Sequence, residues 1–296
     1  MILLDPPAWP AHGTLWSHLV SDASLHELRQ FAQAAGLPDR GFDLDHYDAP
    51  AARHDELVAA GATPVDGRTL ARRLATSGLR VPGHERAAAK RPALTDRWAA
   101  LGDLPAVVGA DLITRWAEPH RVYHGRLHLA AALDALDELL TASDVDAASA
   151  HTARLAVWFH DAVHDGEAGR DEERSAALVV KALATTPLTS DDVAEVERLV
   201  LLTAAHAPEP DDLLGGLVSD ADLAVLGGSP QRYARYVHQV RAEYGHVPDG
   251  AFRAGRAAVL EQLLALPSLY ATPAGRARWA VAAETNLRGE LESLRA

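Results

Sequence analysis

The chain contains the stretch Leu155-Ala156-Val157-Trp158-Phe159-His160-Asp161, in which five apolar residues run directly into a histidine and an aspartate. Five consecutive apolar residues predict a mostly buried helix. An ionised aspartate at the end of such a helix is costly unless a positive charge or a hydrogen-bond network compensates it. A divalent metal ion meets this need most simply, so the stretch predicts a metal site at the end of a buried helix.

Two further segments can complete that site. The helical pattern after Tyr123 offers a histidine, and the segment 219–223 offers an aspartate. Together with His160-Asp161 they form a set of two histidines and two aspartates, which leaves coordination positions open for water, as in catalytic sites. Because the chain has no cysteine, thiolate metal sites, iron–sulfur clusters and disulfides are excluded.

The overall composition excludes several other classes of protein. The 296 residues are 48% hydrophobic and 23% charged, which is enough apolar material for one large domain or two ordinary ones. A net charge of −13 repels phosphate backbones, so no nucleic-acid duplex is expected as a partner. No apolar run approaches the length of a membrane span, and the first residues do not resemble a signal peptide. We therefore expect a cytoplasmic protein with no membrane partner.

The character of the sequence changes near residue 82. Up to that point short apolar runs alternate with proline, glycine and three helical patterns, which predicts a small α/β domain over residues 1–82. Residues 83–93 combine proline, glycine and charges and are predicted to form a linker. Residues 94–296 are almost wholly helical in pattern. The predicted fold class is therefore mainly α, an all-helical bundle preceded by a small α/β domain.

Four motifs of the helical half have a recognisable order, namely Glu118-Pro119-His120-Arg121-Val122-Tyr123-His124-Gly125-Arg126-Leu127-His128, Phe159-His160-Asp161, Glu172-Glu173-Arg174-Ser175 and Asp220-Ala221-Asp222-Leu223. They resemble one predicted-phosphohydrolase branch of the HD superfamily, whose members are all-helical and metal-dependent. The resemblance covers residues 94–296 and implies four metal ligands: His128, His160, Asp161 and Asp222. Gly125 and His164 depart from the branch, which usually has asparagine and tyrosine at these positions.

The resemblance also implies a chemistry. It is the hydrolysis of a phosphate ester, in a nucleotide or another small phosphorylated metabolite, by a metal-activated water. The implied cofactor is one divalent ion, Mn, Fe, Ni or Zn with Mn favoured, because mixed nitrogen and oxygen ligands suit several first-row ions. Asp161 would serve catalysis as well as metal binding. A homo-oligomer is compatible with this function.

Several other residues are candidates for supporting roles. His124 lies one helical turn before His128 and is expected to donate a hydrogen bond to a ligand or to the substrate phosphate. His206 fits a cation at the end of its helix as well as a role at the site. Acidic residues after the metal helix either orient a metal-bound water or form a solvated loop, namely Asp165, Glu172 and Glu173. The candidates for bidentate phosphate binding are Arg121, Arg126, Arg241 and Arg256.

Asp220 and Asp222 compete for the last ligand position. Two helical residues spaced by two point about 200° apart, so these carboxylates cannot both face the same ion. The neighbouring apolar positions Leu223 and Leu226 do not distinguish them. The resemblance favours Asp222 and assigns Asp220 to the N-terminus of a short helix that begins near Ser219.

The N-terminal domain carries an unusual density of polar and aromatic residues around its predicted turns. Its segments 5–10 and 40–47 resemble a small domain of unknown function that occurs alone or beside an HD domain, and this names no chemistry. These polar and aromatic residues either form a site or cap helices and strand ends. They are His12, Trp16, His18, Asp22, Asp43, Asp45, His46, Tyr47, Asp48 and Arg53.

Two other functions stay open for the helical half. An HD-type di-iron oxygenase needs two further histidines between the doublet and the last aspartate, and only His164 and His206 are available. A non-catalytic regulatory module that binds a metal or a nucleotide is the other alternative. Counting bound metal ions and measuring phosphate release discriminate these three functions.

Overall fold

The computed structural model describes residues 1–167 and 169–295. The chain is mainly helical, with a small mixed β-sheet near its N-terminus, which confirms the predicted fold class. It divides into two compact units. We call Met1–Gly83 together with Ala234–Val247 the N-terminal unit. We call His84–Tyr233 together with the residues from Pro248 onward the helical unit.

The N-terminal unit contains a five-stranded sheet. Its strands are β1 (Ile2–Leu4), β2 (Trp9–Ala11), β3 (Thr14–Ser21), β4 (Tyr47–Pro50) and β5 (Thr63–Pro64). The central strand β3 pairs antiparallel with β1, β2 and β4, and β1 pairs parallel with β5. In the β3–β4 register, His18 lies opposite Asp48. This register brings polar side chains of two distant segments together.

Three helices accompany this sheet, namely α1 (Leu25–Ala34), α2 (His54–Ala59) and α3 (Gly67–Thr76). The helix α1 begins where the hydroxyl of Ser24 accepts a hydrogen bond from the Glu27 amide. Asp66 caps α3 in the same way, through the Thr69 amide. Leu3, Leu28 and other buried leucines make the core of the unit.

The rest of the described chain is helical, and its helices are α4 (Gly83–Ala88), α5 (Arg91–Ala99), α6 (Ala106–Arg115), α7 (Arg126–Thr141), α8 (Ala147–Phe159), α9 (Arg170–Leu183), α10 (Ser190–Leu202), α11 (Leu213–Asp222), α12 (Pro230–Glu243), α13 (Asp249–Ala265) and α14 (Pro273–Arg295). The segment 83–93, predicted as a linker, therefore contains α4 and the start of α5. The helix α12 enters the N-terminal unit at Ala234, whereas the sequence assigns this segment to the helical domain. No helix within the described ranges is long and apolar enough to cross a membrane.

The core of the helical unit forms where α7, α8 and α11 pack against one another. The predicted buried run does form the end of α8, and its Trp158 and Phe159 are almost completely buried. Trp116 adds a third large buried side chain to this core. Because α7, α8 and α11 each carry a predicted metal ligand near one end, their packing positions the candidate site.

Candidate metal centre

Three helices bring His128, His160 and Asp222 together. His128 is the third residue of α7, His160 directly follows α8, and Asp222 is the last residue of α11. The side chains of His128 and His160 are only 3% and 1% exposed, and that of Asp222 is 16% exposed. Three potential metal ligands therefore converge from segments that are far apart in the sequence.

The distances between the ligand atoms of these residues are compatible with the coordination of one metal ion. The Nε2 atoms of His128 and His160 are 3.0 Å apart, and Asp222 Oδ1 lies 3.0 Å from the first and 3.5 Å from the second. Asp161 Oδ2 lies 3.3 Å from His160 Nε2 and 3.8 Å from His128 Nε2. An ion about 2.1 Å from two ligands at right angles separates those ligands by about 3.0 Å. These residues could therefore hold a metal ion.

The surroundings orient the two histidine rings. His160 Nδ1 donates a hydrogen bond to the carbonyl of Val157 at 2.8 Å, which turns Nε2 toward His128. The indole of Trp116 lies against both rings, with centroids 5.2 Å from His160 and 6.0 Å from His128. Trp116 is in turn held by the bond from its Nε1 to the carbonyl of Trp158, at 3.0 Å. Sequence reasoning missed this tryptophan, because nothing local links it to the site.

Burial and mutual attraction act in opposite directions on these groups. Burial lowers the pKa of His128, and Asp222 offsets only part of that effect. Burial also lowers the pKa of His160, but the carboxylates of Asp161 and Asp222 outweigh it and raise that pKa well above its ordinary value. Burial raises the pKa of both aspartates, yet His160 holds both below the usual range. The site therefore concentrates negative charge that a cation would neutralise.

The helix that carries Asp220 and Asp222 begins earlier than predicted. The helix α11 starts at Leu213, where Asp212 caps it through the Gly215 amide at 2.9 Å, and it ends at Asp222. The predicted start near Ser219 is therefore wrong, and Asp220 does not lie at a helix N-terminus.

Asp220 has a different set of partners from Asp222. Its buried carboxylate accepts hydrogen bonds from the Ala271 amide at 2.6 Å, the Thr272 amide at 2.9 Å and the Thr272 hydroxyl at 2.6 Å. Burial raises the pKa of Asp220, although these three bonds favour its anion. Asp220 thus anchors the connection between α13 and α14, while Asp222 faces the histidines.

A second group of potential ligands adjoins the first. It consists of His124, Asp161 and His164, whose ligand atoms lie within 4.8 Å of one another. The rings of His124 and His164 are in contact, with their centroids 4.0 Å apart and their planes inclined by 30°. His120 Nε2 donates to the carbonyl of His164 at 2.7 Å and so helps to hold this segment. The structure thus places His124 close to Asp161 of the His-Asp doublet.

His206 lies beside the centre. Its Nδ1 is 3.1 Å from the hydroxyl of Ser219, and its Nε2 is 3.6 Å from Asp222 Oδ2. Burial lowers the pKa of His206, and the charge of Asp222 partly offsets this shift. His206 therefore lies beside the candidate centre and not in the last turn of α10, which ends at Leu202.

The predicted catalytic acids after α8 have structural partners. Asp165 pairs with Arg174 at 2.5 Å, and this hydrogen bond lowers the pKa of its carboxyl group. Glu172 Oε2 accepts from the Gly169 amide at 2.7 Å and so caps the start of α9. The third candidate, Glu173, is exposed.

Asp171 has a role near the doublet that its sequence context did not predict. This buried residue accepts hydrogen bonds from the amides of Asp165, Gly166 and Glu167 at 2.8 to 2.9 Å. It therefore closes the loop that follows the His-Asp doublet. The only local signal for this role is an acidic residue in the first turn of a helix, which ordinarily indicates favourable interaction with the helix dipole.

Most of the predicted phosphate-binding arginines hold other parts of the protein. The side chain of Arg121, 1% exposed, donates to the carbonyls of His124 at 3.2 Å, Asp161 at 2.5 Å and Ala162 at 3.1 Å. Arg256 pairs with Glu290 through two bonds of 2.8 and 3.0 Å. The remaining two are Arg241, in the N-terminal unit with bonds to the carbonyls of Tyr244 and Val247, and Arg126, the half-buried first residue of α7.

The bonds of Arg121 lead to a prediction about stability. Arg121→Leu is expected to lower the free energy of unfolding by about 2–4 kcal/mol, because buried carbonyls lose their donors. Urea unfolding followed by circular dichroism measures this loss. Arg115→Leu is the matched control, since Arg115 forms a surface pair with Asp111 that contributes about 0–1 kcal/mol. Unchanged stability of the Arg121→Leu protein would contradict this structural role.

Comparison with known proteins identifies one part of the chain. Residues 2–77 match the model of a family described as a protein of unknown function (DUF4031). No model of the HD superfamily matches the helical region. Searches of curated proteins and of solved structures found no significant match. The chain therefore consists of an N-terminal DUF4031 domain followed by a helical region with buried clusters of histidine and aspartate.

Proposed function

We propose that the helical unit is a metal-dependent phosphohydrolase of the HD type, acting on a phosphate ester in a nucleotide or another small phosphorylated metabolite. The observation that carries this proposal is the convergence of His128, His160 and Asp222 at the ends of three packed helices. These residues follow the chain order of the HD signature, and Asp161 of the doublet lies beside them. A helix-buried hydrogen-bonded pair would not require donors from two further helices.

The donor set favours a catalytic ion over a structural one. Two histidines and two carboxylates suit Mn²⁺, Fe²⁺, Ni²⁺ or Zn²⁺, and we expect Mn²⁺ first. When bound, a divalent ion supplies Lewis acidity toward a water molecule and toward a phosphoryl oxygen. The Nε2 atoms of His128 and His160 would face such an ion. The carbonyl of Val157 restricts the ring of His160, and the indole of Trp116 packs against both rings.

Asp161 and His124 are the residues that we assign to the substrate. Asp161 adjoins both clusters, so its carboxylate can accept a hydrogen bond from the attacking water and orient it. His124 lies close to Asp161 in the second group of potential ligands, where its ring can donate to a phosphate oxygen. We also assign Arg126 to the substrate phosphate, as the sequence predicted. It is the first residue of α7, and the amides at a helix N-terminus attract phosphate as well.

The test uses the full-length protein purified without chelator. Elemental analysis should find a divalent first-row ion, and a screen of nucleotides and sugar phosphates should detect released phosphate. Treatment with a chelator should abolish the release, and added Mn²⁺ should restore it. A protein that contains no ion and takes up neither Mn²⁺ nor Ni²⁺ would contradict the proposal.

The second group of ligands favours an alternative with two ions. His124, Asp161 and His164 could hold an ion next to the first, and two adjacent ions are what an HD-type di-iron oxygenase would contain. His164 is one of the two further histidines that this enzyme would need. In that case the helical unit would contain two irons and would consume oxygen without releasing phosphate. Binding of metal and nucleotide with neither reaction would indicate a regulatory module.

A further inference from the structure

The N-terminal unit contains its own group of histidines and carboxylates. His18 lies in β3, His46 directly precedes β4, and Asp48 is the second residue of β4. Since His18 is opposite Asp48, and His46 is two residues before Asp48, all three side chains share one face of the sheet. The rings of His18 and His46 meet edge to face with their centroids 5.0 Å apart. The register of two paired strands therefore creates this group.

Each of these histidines is held by a buried carboxylate. Asp5 Oδ2 lies 3.0 Å from His18 Nδ1, and Asp45 Oδ1 lies 2.6 Å from His46 Nδ1. The side chains of Asp5 and Asp45 are only 4% and 0% exposed. This arrangement places the proton on Nδ1 and the lone pair on Nε2. It is the arrangement that orients histidines that bind metals.

The two carboxylates are themselves fixed by the backbone. Asp5 Oδ1 accepts from the His18 amide at 2.5 Å, and Asp45 Oδ2 accepts from the Val81 amide at 2.7 Å. These hydrogen bonds restrict the rotation of the aspartate side chains. The orientation of both rings is therefore determined before any ligand arrives.

The Nε2 atoms of both histidines approach the same oxygen. Asp48 Oδ1 lies 3.4 Å from His46 Nε2 and 3.9 Å from His18 Nε2. Two buried aspartate–histidine pairs could serve as a polar core, but a core does not require both rings to point at a third carboxylate. Two neutral imidazoles and one carboxylate are the ligands of many first-row metal sites with open positions.

The open side of this group borders a cleft. His18 and Asp48 line a cavity of about 550 Å³ together with Trp9, Trp16 and Arg40. An ion held by three protein ligands keeps further positions for water or an oxygen ligand. Those positions would be accessible from the cleft.

We infer that the N-terminal unit binds a divalent first-row metal ion through His18, His46 and Asp48. Asp5 and Asp45 are positioning residues that hold the two imidazoles. This site is independent of the phosphohydrolase proposed for the helical unit, since the two ligand sets have no residue in common. A full-length chain with both sites would bind at least two ions.

The experiment uses Co²⁺ as the only added metal and the full-length chain with His160→Ala, which removes a ligand of the helical centre. We expect about one Co²⁺ per chain by elemental analysis, with visible ligand-field absorption. Adding Asp48→Asn should weaken Co²⁺ binding at least tenfold, and adding His18→Gln should abolish it. Asp48 is 44% exposed, so its substitution is expected to leave folding intact.

Three controls make the result decisive. His12→Gln changes an exposed histidine in the same cleft and should leave Co²⁺ binding unchanged. Asp222→Asn provides a second background if His160→Ala fails to fold. Asp45→Asn should lower the Co²⁺ affinity about 10–100-fold and shift the absorption bands, an effect of positioning that a merely structural role would not produce. Absence of Co²⁺ binding in both backgrounds, or binding that His18→Gln and Asp48→Asn leave unchanged, would overturn the inference.

Discussion

Asp222→Asn is expected to weaken metal binding in the helical unit by at least tenfold and to abolish phosphate release. Asparagine keeps the shape of the side chain, but its oxygen has no net charge to offer a cation. The affected atom is Oδ1, which lies 3.0 Å from His128 Nε2 and 3.5 Å from His160 Nε2. Elemental analysis after gel filtration, together with a phosphate-release assay, measures both effects.

Asp220→Asn is the matched control, because it makes the same chemical change two residues away. We expect the ion to stay bound, since the Asp220 carboxylate accepts its hydrogen bonds from Ala271 and Thr272. The amide group would place a donor against one of these donors, which should lower the free energy of unfolding by about 1–3 kcal/mol. Loss of the ion from Asp220→Asn and its retention in Asp222→Asn would reverse the assignment.

His160→Ala is expected to reduce phosphate release by several orders of magnitude while the helical circular dichroism signal remains. The substitution removes one of the Nε2 ligands of the candidate centre, 3.3 Å from Asp161 Oδ2. The helices α7, α8 and α11 still pack through apolar residues such as Trp158 and Phe159. We therefore expect a folded protein with one bound ion fewer than the wild type.

His151→Ala provides the control on the same helix. His151 lies near the start of α8, two turns away from the doublet, and is not part of the candidate centre. This variant should keep both the ion and the activity. If His160→Ala instead lost its helical signal together with its activity, the site would be mainly structural, because metal binding would then supply folding free energy.

The end of α8 shows how far local pattern reaches. Five consecutive apolar residues before His160-Asp161 predict a buried helix, and α8 does end at Phe159 with this run in the core. Ser24 is a similar case, because a serine three residues before a glutamate at the start of a helical pattern is typical of an N-cap, and Ser24 does cap α1. Both features depend on neighbours in sequence, and so the sequence is sufficient to predict them.

The start of α11 shows where local pattern fails. The prediction placed the start of this helix near Ser219. In the structure the helix begins at Leu213 and continues through Gly215 and Gly216, where a Cβ at Gly216 would lie 3.2 Å from the Cβ of Ala271 and one at Gly215 would clash with Asp212. The glycines thus permit a close helix contact and a cap, which only packing reveals.

The amino-acid sequence by itself determined the mainly helical fold class, the small N-terminal sheet region and the nature of the donors, since a chain without cysteine has only nitrogen and oxygen ligands to offer. Residue spacing left open which of these potential ligands meet; the family resemblance implied one set in the helical half, and the tertiary structure shows which residues lie together. The packing of three helices joins His128 and His160 to Asp222, and one strand register joins His18 to Asp48. Local spacing reports only on residues that share a helix or a strand, whereas convergence of distant segments depends on how their apolar faces pack.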